Sequence, residues 1–254
     1  MQTKTQMISK NQIKYIRQLE MKKIRRREKR FVAEGPKVVG DLMRIYQPIA
    51  VFATDEWCPE HTFDTTLLTA ITDEELHRIS FLQNPQQVLA IFPIPEPNQV
   101  SPIGALSLAL DGVQDPGNLG TIIRIADWFG IDTIYCSEDT ADAYNPKVVQ
   151  ATMGSLAHVH IIYCDLLQLF QTLPPSYPIY GTLLDGKNIY EQSLMQEGII
   201  VMGNEGNGIS KAVRECITHR LLIPNFHNGE SAESLNVAIA TAITCSEFRR
   251  REQK

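Results

Sequence analysis

No apolar run in the chain approaches the ~20 residues needed to span a bilayer, because charges, Gly or Pro interrupt every candidate stretch. The opening residues, MQTKTQMISKNQIKYIRQLE, lack the apolar core of a secretion signal, and they hold too little Ser to read as a mitochondrial presequence. The G-x-G-x-x-G dinucleotide fingerprint and the G-x-x-x-x-G-K-[ST] phosphate loop are both missing. Cysteine is sparse and odd in number: Cys58, Cys136, Cys164, Cys216 and Cys245 form no C-x-x-C or His-rich array. That excludes a disulfide scaffold and gives no zinc signature, so the expectation is buried free thiols, no metal and a cytoplasmic location. Aromatics make up only 7%, but 43% hydrophobic and 21% charged residues are ordinary for a globular protein. At 254 residues, one or two domains are expected, each large enough to close a core.

The net charge of −5 hides an asymmetry. Residues 1–30 carry eleven Lys/Arg against Glu20 and Glu28, leaving thirteen basic and twenty-seven acidic side chains for the rest. Lys22, Lys23, Arg25, Arg26, Arg27, Lys29 and Arg30 are spaced closely enough to meet successive phosphates of one strand, releasing counterions as they bind. A solvated basic helix is the plainer alternative.

Ile8, Ile13, Ile16 and Leu19 recur at helical spacing. FVAE and KVVGDLMRIY then read as a strand and a helix about Gly35-Pro36, IAVFAT as a strand, DEELHRIS as a helix capped by Thr72 or Asp73, and QVLAIFPIP as a third strand. These make a small α/β unit over 1–97. A Pro-rich stretch, 98–104, reads as a stiff linker. Over 105–254, apolar runs such as ALSLALDGV, IDTIYCS and GIIVMG alternate with helices, the pattern of a parallel sheet covered on both faces.

In such sheets ligands bind at the carboxyl ends of strands, and three loops there carry polar residues. In DGVQDPGNLGTIIRIADWFG, Asp115-Pro116-Gly117-Asn118 reads as a tight turn and Gly120-Thr121 as a helix start. That puts Arg124 one turn in, where it opposes the helix dipole. Pairing with Asp127 or Asp132 is the plain account of that arginine. In GIIVMGNEGNGIS, Gly203, Gly206 and Gly208 permit positive φ and close approach, and Glu205 sits between glycines. In LLIPNFHNGESAESLNVAIATAI, Ser234 and Asn236 open an apolar helix, with Ser234 as a candidate cap. His227 lacks any partner spacing that would support acid–base chemistry.

Together, NLGTIIR (Asn118–Arg124), MGNEGNG (Met202–Gly208) and IP…SLNV (Ile223–Pro224 and Ser234–Val237) resemble, in order and spacing, the three motifs of SpoU (TrmH-like) RNA ribose 2′-O-methyltransferases of the SPOUT superfamily. The likeness spans about 105–254, and KYIRQLEMKKIRRREKRFVAEGPKVVGDLM is similar to the family's N-terminal substrate-binding domain. The resemblance implies a parallel-sheet α/β catalytic domain with a deep trefoil knot, preceded by a small ribosomal-protein-like α/β domain. It also implies a homodimer, RNA as partner, and S-adenosylmethionine held at Gly203, Ile223 and Leu235 with Thr182 or Leu183. Carried over by motif, Arg124 acts on the ribose 2′-oxygen and adjacent phosphate. Asn118 orients Arg124 or the ribose, Glu205 positions Arg124 or its partner, and Ser234 and Asn236 shape the knot. Ribosomal RNA is favoured over tRNA by the two-domain layout. A catalytically silent RNA-binding or assembly factor on the same fold is the alternative.

Overall fold

The computed structural model describes residues 8–59, 63–96, 100–227 and 234–250. Its described residues form two compact units, one of residues up to Glu96 together with Asp142–Ala157, the other of the remainder from Val100 onward.

The first unit opens on α1 (Lys10–Gln18), started by a Ser9/Gln12 capping box, and α2 (Lys22–Glu28). β1 (Arg30–Glu34), α3 (Pro36–Met43), β2 (Ala50–Ala53), β3 (Leu68–Ala70), α4 (Asp73–Ile79) and β4 (Val88–Pro93) follow. Thr72, not Asp73, caps α4, in a second capping box with Glu75. The sheet order is β1-β4-β2-β3, with β4 antiparallel to both neighbours. Ile16, Leu19, Leu76 and Ile79 pack on Val32 and Leu89 to close one face. The sequence reading offered α2 only as a solvated basic helix, since Ile24 is its only apolar residue, and did not anticipate β3, which is too short to show a period.

The expected boundary is corrected at one segment. Asp142–Ala157 falls inside the 105–254 stretch, yet it joins the first unit. Its helix, α6 (Pro146–Ala151), lies on β1, and the Tyr144 ring tilts against Phe31 with centroids 5.1 Å apart.

In the second unit, β5 (Leu106–Asp111), α5 (Pro116–Trp128), β6 (Thr133–Cys136), β7 (His160–Tyr163), α7 (Leu166–Gln171), β8 (Ile179–Asn188), β9 (Gly198–Gly203), α8 (Lys211–Glu215), β10 (His219–Leu222) and α9 (Val237–Arg250) build one sheet. Its order is β10-β8-β9-β5-β6-β7 and every pair is parallel. Five of six residues are buried in β5 and all six in β9, which is why both read as continuous apolar runs. The chain lays β5, β6 and β7 outward in one direction, then crosses back to place β8 and β9 on the other side of β5. The chain therefore continues from β5 and β9 to opposite sides of the sheet, a switch point of the kind where α/β sheets hold their ligands.

Val100–Gly104 is held rather than a free spacer. The Tyr135 and Tyr177 hydroxyls each donate at 2.6 Å, to Val100 O and Pro102 O, and Gly104 N–H donates to Glu197 at 3.1 Å. All five cysteines are free thiols, but only Cys136 and Cys245 are buried and Cys58 is exposed. Among the described residues, no helix is long and apolar enough to cross a membrane.

Candidate active site

Asp111 and Gly203 are register partners, so β5 and β9 end level and their loops run side by side. Asp111 accepts the Ser210 N–H at 2.7 Å. Asn204, which the sequence reading passed over, joins the two loops. Its Nδ2 donates to Gly112 O at 2.7 Å, while Oδ1 accepts from the N–H groups of Gly206 and Asn207 at 2.9 and 3.0 Å. Asn204 and Gly208 also exchange backbone hydrogen bonds at 2.9 Å, folding the loop onto itself. An Asn flanked by glycines is the sequence signal for such an Asx turn.

The three glycines do not share the reason expected of them. Only Gly208 has a positive φ, of 68°. Gly203 is required by proximity instead: a Cβ there would lie 2.2 Å from the carbonyl carbon of Gly208.

Glu205 caps the neighbouring loop. Its carboxylate accepts from Gln114 N–H at 3.2 Å, Asp115 N–H at 3.1 Å and Asn118 Nδ2 at 3.0 Å. Partial burial alone would raise its pKa. Hydrogen bonds from Asn118 and from the backbone outweigh that and hold it below the usual carboxylate value.

α5 starts four residues earlier than its sequence suggests. Asp115 is the N-cap, accepting Asn118 N–H at 2.7 Å, and Pro116 takes the first position, where a missing N–H costs nothing. Arg124 therefore lies in the third turn, beyond the reach of the dipole argument. It is exposed and has no hydrogen-bond or ion-pair partner among the described residues. Asp127 pairs with His158 instead, and Glu205 and Asn118 bond each other rather than Arg124.

Asn118 Oδ1 in turn accepts from Asn236 Nδ2 at 2.9 Å. Asn236, not Ser234, caps α9: its Oδ1 accepts from Ala238 and Ile239 N–H at 2.9 and 3.2 Å. Glu205, Asn118 and Asn236 thus form one chain of hydrogen bonds across the ends of β9, α5 and α9. α9 packs on α5 and β9. Its buried Thr241 and Thr244 return their hydroxyls to Val237 O and Ala240 O, so small polar residues sit in the contact without loss.

Thr182, Leu183, Gly203, Ile223 and Leu235 line one cavity of about 310 Å³, together with Glu205 and Ser234. Met202, Ile209, Leu222 and Val237 complete its apolar wall, and the 203–208 backbone supplies polar groups. The volume and the mixture fit a small-molecule site. Asn118, Arg124 and Asn236 lie outside this lining. Of the loop before Ser234, residues 228–233 lie outside the described residues.

The basic segment of the first unit divides by helix face. Lys23, Arg26 and Arg27 are exposed on α2, and Lys22 is half-buried. Lys29 pairs with Glu96, Arg27 with Glu28, and Arg30 bonds the Tyr15 hydroxyl. Arg25 cannot meet a phosphate, which corrects its place in the RNA-facing set. It is 1% exposed, and its guanidinium donates to Asp142, Leu19 O and Glu20 O.

The sequence profile of the SpoU rRNA methylase family matches residues 105–246, more than half of the chain. The chain belongs to this family. A profile for an MRM3-like substrate-binding domain matches residues 10–90. The chain is similar to the Bacillus subtilis 23S rRNA (guanosine(2553)-2′-O)-methyltransferase RlmP, with 32% identity over 95% of this chain and 97% of that one. Among solved structures, a TrmH-family protein from Porphyromonas gingivalis superposes with a TM-score of 0.85 and 44% identity, over 97% of this chain and all of the other. An S-adenosylmethionine-bound rRNA methyltransferase from Sinorhizobium meliloti gives 0.84 and 27%, over 98% and 99%. All three loops of the site fall within the SpoU-matched stretch. Within it, sequence reasoning missed Asp111 and Asn204 and read Asp115 only as a turn residue, whereas all three hold loops of the site.

Proposed function

We propose that this SpoU-family chain transfers a methyl group from S-adenosylmethionine to a ribose 2′-hydroxyl of ribosomal RNA. One observation carries the reading: Glu205 lines the cavity and also bonds Asn118, tying the cavity to the helix that bears Arg124, exposed and without a partner among the described residues. The choice of ribosomal RNA follows the relative named for 23S rRNA and the match to a substrate-binding domain.

The cavity suits the donor. Leu183, Ile223 and Leu235 offer apolar surface for an adenosine, the 203–208 backbone offers hydrogen bonds, and the ionised Glu205 favours a cation nearby. S-adenosylmethionine supplies a methyl group carried on a positively charged sulfur. Arg124 holds the 2′-oxygen and the adjacent phosphate, and stabilises the negative charge that grows on that oxygen as its proton passes to water. Asn118 and Asn236 position the start of α5, and Ser234 shapes the cavity rim.

A homodimer completes the site. Thr121, Arg124 and Trp128 share the exposed face of α5, and Leu235 and Ile239 stand out at the start of α9, which packs beside it. Trp128 is 86% exposed and Ile239 52%. Such a patch beside an exposed arginine favours a second copy as its cover. The trefoil knot belongs to the same reading, and the Asn236–Asn118 bond, which draws the C-terminal segment onto α5, supports it.

The decisive experiment supplies labelled S-adenosylmethionine and ribosomal RNA from cells lacking this protein, then maps 2′-O-methyl groups. A single new ribose modification, made by a species of twice the chain mass, is expected. Donor binding with no transfer to any RNA would leave only the silent RNA-binding factor.

Exposed α2 is the proposed phosphate-binding face. Replacing Lys22, Lys23 and Arg26 with alanine should weaken RNA binding and reduce the salt-dependence slope by about 2, at ~0.7 per lost phosphate contact. An unaltered slope would return α2 to a solvated surface. Deleting residues 1–30 is no substitute, because it removes Ile16, Leu19 and Arg25 from the core.

A further inference from the structure

We infer that Asp185 is a positioning residue for donor binding, acting through an ion triad with Arg214 and Arg220 that lies outside the cavity. The inference rests on the reading of that cavity as the donor site.

β8 leaves the sheet where the cavity begins. Its ladder to β9 ends at the pair Gly181–Val201, while β9 runs on to Met202 and Gly203. On its other side β8 pairs Gly181 with Arg220 and then Lys187 with Leu221. Consecutive residues of β10 are thus matched by residues six apart in β8, and 182–186 bulge out of the ladder as an arc. Thr182, Leu183 and Leu184 of this arc line the cavity, and Leu184 is 77% exposed.

Three contacts hold the arc. At its start the Thr182 hydroxyl donates to Met202 Sδ at 3.5 Å. At its end Gly186 lies against the β10 backbone, where a Cβ would stand 2.4 Å from the Leu221 carbonyl carbon. Between them Asp185 Oδ2 accepts from Arg214 of α8 and, at 3.1 Å, from Arg220 of β10. A thioether is a weak acceptor, and the close approach at Gly186 adds only van der Waals contact, so the triad is the strongest hold of the three. All its side chains are 40–47% exposed, and ion pairs so exposed add little to stability. Two cations from separate elements that converge on one carboxylate oxygen instead fix where that carboxylate stands. Asp185, Arg214 and Arg220 are absent from the cavity lining. Asp185 follows Leu183 and Leu184 directly, so it places that wall from behind.

The test titrates the full chain with S-adenosylmethionine and with S-adenosylhomocysteine, the same molecule without the transferred methyl and its positive charge. Asp185→Ala is expected to bind both about tenfold more weakly, the result of leaving the arc in its binding geometry in about a tenth of the molecules. A carboxylate that merely attracted the sulfonium would weaken the first ligand alone. Arg214→Gln with Arg220→Gln should give the same loss. The triple variant should lose no more than either, because both changes disable one device. Melting temperatures should stay near that of the parent. In turnover the donor KM should rise about tenfold, with a much smaller change in kcat.

Parent-like affinity in Asp185→Ala, a loss confined to S-adenosylmethionine, or additive losses in the triple variant would each overturn the inference. So would an arginine double variant that loses RNA affinity and keeps donor affinity, which would make the pair a phosphate contact. If the alanine variant does not fold, the arginine double variant decides by the same titration. An unaltered protein that binds neither ligand would overturn the proposed function, and this inference with it.

Discussion

Arg124→Ala is expected to lower the methyl-transfer rate by about 10²–10³-fold, the usual consequence of removing one group that stabilises developing oxyanion charge. S-adenosylmethionine affinity should be unchanged, because Arg124 is absent from the cavity lining. Stability should also be unchanged, since the side chain is exposed and bonded to nothing among the described residues. An arginine that helped hold the fold would fail on both counts. The planar guanidinium of Arg124 acts by stabilising charge on the 2′-oxygen. Arg124→Lys should recover part of the rate, because it restores charge without the planar fork. Single-turnover kinetics beside calorimetry separates the two effects. A normal rate in the alanine variant would remove Arg124 from the chemistry.

Gly203→Ala should act on the donor instead. The added Cβ would stand 2.2 Å from Gly208 C and 2.3 Å from Ile209 N, and both are backbone atoms that cannot swing aside. The turn closed by Asn204 and Gly208 must then open, and Asn204 loses its hold on Gly112. Overpacking of this kind costs about 1–3 kcal/mol, or about 2–4 °C of melting temperature per kcal/mol for a chain of this size. Donor binding should disappear from calorimetry because the 203–208 backbone forms one side of the cavity. Gly206→Ala is the control: its Cβ would meet nothing nearer than Asn204 Oδ1 at 3.6 Å, so the melting temperature should stay that of the parent. Equal tolerance at both positions would show that the loop yields more readily than its geometry implies.

Much of this protein could be read from its residues alone. The strands β5 and β9 are apolar runs bounded by turn residues, and burial on both faces is what makes them so. Two of the three polar loops follow from where those strands stop, and the third follows β10. The five residues named for the donor converge on one cavity, although four lie far apart in the chain. The reading failed where a local pattern has two physical solutions. Asp115-Pro116-Gly117 suits a turn and equally a capped helix start, and the choice moved Arg124 one turn deeper into the helix. In α2, Arg25 and Arg26 are neighbours with the same chemistry; helix phase alone turns one inward and the other to solvent.

Composition, hydrophobic period and turn chemistry by themselves determined the layered α/β architecture, the site-bearing loops and the cationic character of α2, because each is set within a few residues. Only the tertiary structure decided that Arg25 is buried, that Asp142–Ala157 joins the first unit, and that Glu205 holds Asn118 rather than Arg124. Those outcomes depend on partners 87 and 117 residues distant, and no local pattern encodes which of several chemically equivalent groups will find itself opposite such a partner when the chain closes.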